Sequence, residues 1–345
     1  MKTTRNFSAV LLLAALQGVP AVVLAEAPPS FAKCATIDAD RERLACYDHT
    51  AGRSAEPAPA PTPSPANGEK VAPATTVATA KTSLIDTAWA FDPKSSPYLV
   101  SLYEPNYFLL ARYSTNVNTA PFSAALQAAG EPEQIDDTEA KFQISLKARL
   151  WTTENRRWGA WLAYTQQSHW QIYSPATSRP FRETDFVPEL FVSYRPDYEY
   201  AGFHWRLLNF GYTHQSNGRT GTLSRSWNRL FAEFGAERDN LVLLARAWYR
   251  IKESADSDDN PDITDYYGYG SLSATYKWRD QSFSLMGRGN LSTGKGAIQA
   301  TWMSQKLLGP LRAYVQVFSG YGESLIDYNW NQTTIGAGVA LNDAY

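Results

Sequence analysis

Residues 207 to 234 read LLNFGYTHQSNGRTGTLSRSWNRLFAEF and gather a serine, a histidine and an asparagine able to act together. A serine hydroxyl is a poor nucleophile until a base accepts its proton. An imidazole is that base only when an acceptor on its other nitrogen holds the right tautomer. Ser216, His214 and Asn228 supply those roles in that order. A neutral amide orients the ring through its carbonyl but stabilises an imidazolium less than a carboxylate would, so a cation nearby would help. The turn between them contributes Arg219, Thr220, Thr222 and Ser224. Backbone carbonyls and hydroxyls are hard oxygen ligands suited to Ca2+, with water filling the remaining positions. A cation held there would stabilise the oxyanion of an ester tetrahedral intermediate.

These side chains meet only if the segment is a β-hairpin. Strand side chains two apart share a face, so His214 and Ser216 continue the row of Leu208, Phe210 and Tyr212, and Asn228 continues that of Leu230, Ala232 and Phe234. A hairpin symmetric about Gly221 pairs residues whose numbers sum to 442, which sets His214 opposite Asn228. Their Cβ atoms would then lie about 4.5–5.5 Å apart. By composition this row faces lipid, where a histidine without a task is costly. The residues alone also allow a plainer reading, in which these polar groups only rim the mouth of a barrel.

The same alternation runs from about residue 83 to the end. Phe142, Ile144, Leu146, Ala148 and Leu150 alternate with Gln143, Ser145, Lys147 and Arg149, and Ile335, Ala337, Val339 and Leu341 close the chain before Tyr345. Twelve segments of strand length can be drawn, near 105–114, 139–151, 158–168, 187–196, 202–215, 224–237, 241–252, 266–279, 281–292, 296–305, 310–321 and 330–345. Aromatics such as Trp151, Trp158, Tyr249 and Trp278 cluster at segment ends, as in the girdles of membrane barrels, and bacterial single-chain barrels have even strand numbers. The pattern predicts an all-β protein, a twelve-stranded antiparallel transmembrane β-barrel with an N-terminal periplasmic extension, in a Gram-negative outer membrane.

Composition agrees. The chain has 345 residues with Trp 11, Tyr 20 and Phe 15, yet its mean hydropathy is −0.38, so many rings sit in a polar chain. Lys+Arg 32 against Asp+Glu 34 lacks the basic excess of a nucleic-acid protein. Two cysteines and four scattered histidines are too few for a zinc or iron–sulfur site. Beyond the first 25 residues no apolar run is long enough for a transmembrane helix.

Residues 1–25 carry Lys2 and Arg5, then apolar stretches ending at Ala25, which reads as a secretory signal. Export makes Cys34 and Cys46, within the segment 26–51, expected disulfide partners. Residues 52–82 are rich in Pro, Ala and Thr and read as an extended linker, leaving 83–345 for the barrel.

The blocks YTQQSHW (164–170), PFRETDFVPELF (180–191), GYTHQSNGR (211–219), SRSWNRL (224–230), DDNPDIT (258–264) and SGYGESLIDYNWNQT (319–333) make residues 100–345 resemble the outer-membrane phospholipase A family. The resemblance implies a twelve-stranded barrel that hydrolyses phospholipid acyl esters, with phospholipase A1, A2 and lysophospholipase activity, its catalytic residues facing lipid near the outer leaflet. It implies His214 as general base and acid, Ser216 as acyl-enzyme nucleophile and Asn228 as orienter. It implies Ca2+ bound by the Arg219 carbonyl, the Ser224 hydroxyl and a partner protomer's carbonyl at the position of Ser178, in a homodimer active only when assembled. The Gly218 amide is close enough in sequence to join the oxyanion hole, and Gln166 matches a glutamine in the family's dimer interface. Gly221 stands where some relatives carry an aspartate that binds calcium outside the dimer, and residues 26–82 have no counterpart in the match.

Other features read as scaffold. His169 and His204 are expected at barrel interfaces, GNLSTGKG (289–296) as a hairpin turn, and Asp256, Asp258, Asp259 and Asp262 as a solvated loop, with cation binding the alternative for that acidic run. The alternatives are a passive pore, which needs no His214 or Ser216, a lipid A deacylase, separated by substrate preference, and an adhesion barrel, which would hydrolyse nothing.

Overall fold

Alternating sequence becomes alternating burial along much of the sheet. On β3 (Thr138–Thr152), Ile144, Leu146 and Leu150 point outward, with Leu150 49% exposed, while Lys141, Ser145, Lys147 and Arg149 point inward and are buried. Such inverted faces suit a sheet surrounded by hydrocarbon and closed on itself, because only closure satisfies every strand edge without water. The computed structural model describes residues 31–52, 82–123, 135–175 and 179–345. The expected signal segment, most of the linker and Ser178 lie outside the described residues.

The chain divides into two units, Met1–Val77 and Ala78–Tyr345. In the first, helices α1 (Phe31–Cys34) and α2 (Asp40–Thr50) are tied by a disulfide between Cys34 and Cys46, the pair expected from sequence. Asp40 and Glu42 occupy the first turn of α2, where carboxylates complement the helix dipole.

The second unit is a closed antiparallel barrel of twelve strands: β2 (Asn106–Ser114), β3, β4 (Trp158–Trp170), β5 (Phe181–Tyr194), β7 (Phe203–Ser216), β8 (Ser226–Arg238), β9 (Leu241–Ile251), β10 (Gly270–Trp278), β11 (Gln281–Asn290), β12 (Lys295–Leu308), β13 (Leu311–Tyr321) and β14 (Asn331–Asn342). Each pairs with the next, and β14 pairs with β2 to close the ring. Two short strands extend it: β1 (Leu99–Leu102) pairs with β3, and β6 (Tyr198–Tyr200) pairs with β7. The expected strand at 187–196 begins earlier, at Phe181. Its first turn of charges, Arg182, Glu183 and Asp185, reads like a loop but faces the lumen, where each finds a partner.

Both ends of the lumen are filled. Loop residues 322–330 fold inward, burying Leu325 and Ile326 completely. Glu323 pairs with Arg112 and with Lys141 (3.0 Å), and Asp327 with Arg182 (2.9 Å). At the other end α3 (Leu84–Trp89), capped by Ser83, packs Ile85 and Trp89 against Trp161, Tyr103 and Phe191. A lumenal cavity of about 400 Å³, lined by Gln167, Glu189, Arg246 and Tyr314 among others, lies within the wall. A wall plugged by its own loop and helix is a poor design for a passive pore. The last helix, α4 (Ile263–Tyr267), lies in the loop before β10.

The connections are unequal. Turns after β3, β8, β10 and β12 are short, whereas the connections after β2, β7, β9 and β13 are long. In outer-membrane barrels the short turns are periplasmic and the long loops extracellular, which puts the β7–β8 connection at the outer face.

Candidate active site

β7 and β8 form the predicted hairpin, and their register pairs residues summing to 442 from Leu207↔Gly235 through Ser216↔Ser226. His214 stands opposite Asn228, and the row of Phe210, Tyr212, Leu230 and Phe234 is exposed on the outer wall. His214 Nδ1 lies 2.9 Å from Asn228 Oδ1. The Tyr212 hydroxyl donates to the same oxygen, and Asn228 Nδ2 donates to Glu253 Oε1 at 2.9 Å. Ser216 is two residues beyond His214 on the same face, half-buried at the end of β7. Among the described residues its hydroxyl makes no hydrogen bond to the imidazole, and such contacts are often long before substrate arrives.

The connection between the strands is held by a residue that sequence reasoning passed over. Asn217 is buried, donates to Glu183 Oε1 (2.9 Å) and to the Leu223 carbonyl (2.8 Å), and accepts from the Arg225 amide (3.0 Å). Gly218 follows it with φ +64°, in the left-handed region that other residues adopt only with strain, and presents its backbone beside the Phe186 ring. The Arg219 side chain runs inward, donating from Nε to Glu183 Oε2 (3.2 Å) and from Nη2 to the Arg182 carbonyl (2.6 Å). A short 3-10 turn, Gly221–Leu223, leads to Ser224, whose hydroxyl donates to Asp259 Oδ2 at 2.6 Å.

The acidic loop, expected as solvated or as a cation site, is engaged by protein groups. Asp259 meets Ser224, Asp258 pairs with Arg250, and Asp262 accepts from the Tyr328 hydroxyl at 2.8 Å. Nothing in the residue pattern alone distinguished Asp259 from its neighbours. Hard oxygen donors, Ser224 Oγ and a carboxylate in contact with it, lie at the turn where calcium was expected, so the donor set fits a hard divalent cation.

Gln166, on the outer face of β4, accepts from the Tyr164 hydroxyl (3.0 Å) and donates to Ser168 (3.3 Å). His169 is fully buried inside the barrel rather than at an interface. Its Nδ1 lies 2.8 Å from Glu139 Oε1, within a cluster that includes Arg112 and Arg182. His204 is exposed near the short-turn end. GNLSTGKG is a hairpin turn, with Asn290 paired to Lys295.

Comparison with known proteins places this geometry. The family model described as phospholipase A1 matches residues 86–341. The chain is 41% identical over 253 residues to phospholipase A1 of Klebsiella pneumoniae, covering 72% of this chain and 85% of that one. It is 40% identical to phospholipase A1 of Escherichia coli K12, covering 72% and 84%. Outer membrane phospholipase A from Escherichia coli superimposes with a TM-score of 0.66 at 38% identity, over 71% of this chain and 99% of that one. The Salmonella typhi outer membrane phospholipase, a dimer with bound calcium, superimposes with a TM-score of 0.68 at 37% identity, over 75% and 98%. With its twelve-stranded barrel and a histidine–asparagine pair on the wall, this chain belongs to the phospholipase A1 family and is a phospholipase of the outer membrane.

Proposed function

We propose that Ser216, His214 and Asn228 carry the hydrolysis of phospholipid acyl esters, dependent on calcium and completed in a homodimer. The observation that carries this reading is the 2.9 Å contact between His214 Nδ1 and Asn228 Oδ1 on the lipid-facing row, two residues from Ser216. With Nδ1 committed to the asparagine, Nε2 accepts the Ser216 proton as Oγ attacks the ester carbonyl. The Gly218 amide donates to the oxyanion that forms. The imidazolium then returns its proton to the departing alcohol, leaving an acyl-enzyme and a lysophospholipid, and water repeats the sequence to release fatty acid. The same steps on a lysophospholipid remove its remaining chain.

Ca2+, held by the Arg219 carbonyl, the Ser224 hydroxyl and a carbonyl at Ser178 of a second protomer, would supply positive charge beside the oxyanion. A calcium-bound dimer in the Salmonella typhi relative supports this reading, as does the oxygen-rich turn at Ser224 and Asp259. Gln166 would lie in the dimer interface, since an amide on a lipid-facing wall gains from a protein partner. Residues 1–25 would direct export, and 26–51 with the linker 52–82 would remain in the periplasm.

The test is acyl release from phosphatidylethanolamine in detergent micelles, with calcium or EDTA, comparing the parent with Ser216→Ala. Hydrolysis that needs both Ser216 and calcium supports the proposal. Hydrolysis indifferent to Ser216 overturns the triad, and a preference for lipopolysaccharide would favour a lipid A deacylase.

A further inference from the structure

The hydrogen bonds around Asn228 reach one residue further than the three expected side chains. Asn228 is the register partner of Ile251, the last residue of β9. Glu253 lies two positions beyond Ile251, and its Oε1 accepts from Asn228 Nδ2 at 2.9 Å. On the opposite side, Asn228 Oδ1 accepts from the Tyr212 hydroxyl and faces His214 Nδ1.

An asparagine amide can sit either way round, since its two ends have nearly the same shape and differ in being donor or acceptor. Turned over, its NH2 group would meet a hydroxyl and a ring nitrogen, and its oxygen would meet a carboxylate, which when ionised only accepts. Glu253 therefore determines which end faces the histidine. An oxygen opposite Nδ1 requires the ring proton on Nδ1, which leaves the Nε2 lone pair for the serine.

We propose that Glu253 is a positioning residue that acts through Asn228: it fixes the amide orientation, and so the tautomer of His214, and polarises the amide so that Oδ1 better stabilises an imidazolium. This inference rests on the reading of Ser216, His214 and Asn228 as catalytic. It supplies, at one remove, the carboxylate that a Ser-His-Asn arrangement lacks. The placement has a second merit. The loop that carries Glu253 also brings Asp259 to Ser224 and Asn260 Oδ1 to the Ser226 amide (3.0 Å), so one connection braces both the asparagine and the turn. Being beyond the end of β9, Glu253 can be changed without altering the barrel wall.

The experiment measures kcat and KM of the full-length protein in calcium-containing micelles for the parent, Glu253→Ala, Asn228→Ala, Asn228→Asp and the two doubles that combine Glu253→Ala with each Asn228 change. Heat-modifiable gel mobility checks that every variant is a folded barrel. Glu253→Ala is expected to lower kcat about tenfold, with KM within about twofold, as the loss of one charge-assisted hydrogen bond would. Added to Asn228→Ala it should change kcat by less than about twofold, because the residue it acts through is gone. Added to Asn228→Asp it should raise kcat, since two carboxylates then no longer repel.

The same loss with and without Asn228, or an undiminished kcat for Glu253→Ala beside a slow Asn228→Ala, overturns the inference and leaves the triad intact. Asn228→Ala at the parent rate overturns the triad reading, and this inference with it.

Discussion

Gln166 and Ser216 stand at one level of the barrel wall, each the register partner of Phe186, on opposite sides of β5. Strands are about 4.8 Å apart, so the two Cα atoms are roughly 10 Å apart on one outer surface. A second protomer seated on Gln166 would therefore lie next to the proposed nucleophile, so the proposed dimer and the proposed catalytic centre would share one surface.

Gln166→Ala should weaken the dimer and activity together. An interhelical-type hydrogen bond in lipid is worth about 0.6–2 kcal/mol, a threefold to thirtyfold change in dimerisation constant. Crosslinking yield and acyl release, both titrated against detergent, should fall in parallel. Full activity at a detergent dilution where crosslinking detects only monomer would separate the two.

Gly218 tolerates no side chain cheaply. An added Cβ would sit 3.1 Å from Phe186 Cε2, on a backbone with φ +64°. Gly218→Ala should cost about 1–2 kcal/mol of stability and displace the amide proposed to serve the oxyanion, lowering kcat about 10²-fold. Urea titration and micelle kinetics would read the two effects, and a variant losing stability without activity would remove Gly218 from the oxyanion hole.

Calcium dependence should pass through the Ser224–Asp259 contact. Ser224→Ala or Asp259→Asn should each raise the calcium concentration for half-maximal hydrolysis about tenfold or more, while leaving the heat-modifiable mobility of the barrel unchanged. An unaltered calcium titration in both variants would place the cation elsewhere.

The inward loop gives the barrel an acid limit. Burial alone would raise the Glu323 carboxyl, but the Arg112 guanidinium and the Lys141 ammonium outweigh it and hold it well below the usual carboxylate range. A carboxyl lowered by folding contributes stability that is full above its unfolded value and disappears as protons bind, here below about pH 4. Glu323→Gln should cost roughly 3–5 kcal/mol at neutral pH, because Arg112 and Lys141 lose a buried partner. Its urea midpoint should also change less between pH 7 and pH 3 than the parent's. Equal pH dependence in both proteins would assign the acid sensitivity to other groups.

The outer surface was the readable half of this chain. Apolar residues at every second position meet one uniform solvent, lipid, so the strand count and the His214↔Asn228 register follow from alternation and one turn centre. The inner half was not readable in the same way. Arg182, Glu183 and Asp185 look like loop residues until Asp327, Asn217 and the Leu325 amide are seen to meet them. His169 needs Glu139, thirty residues away, to explain its depth. Charges are placed by partners distant in sequence, and neither the inward loop nor the Glu253 contact has a local signature.

The outward direction of the His214 row has a last consequence. If that row carries the hydrolysis proposed above, its substrate arrives by moving sideways within the membrane rather than by entering a pocket from water. On that reading a centre assembled only when two walls meet would leave the surrounding lipid intact until they do.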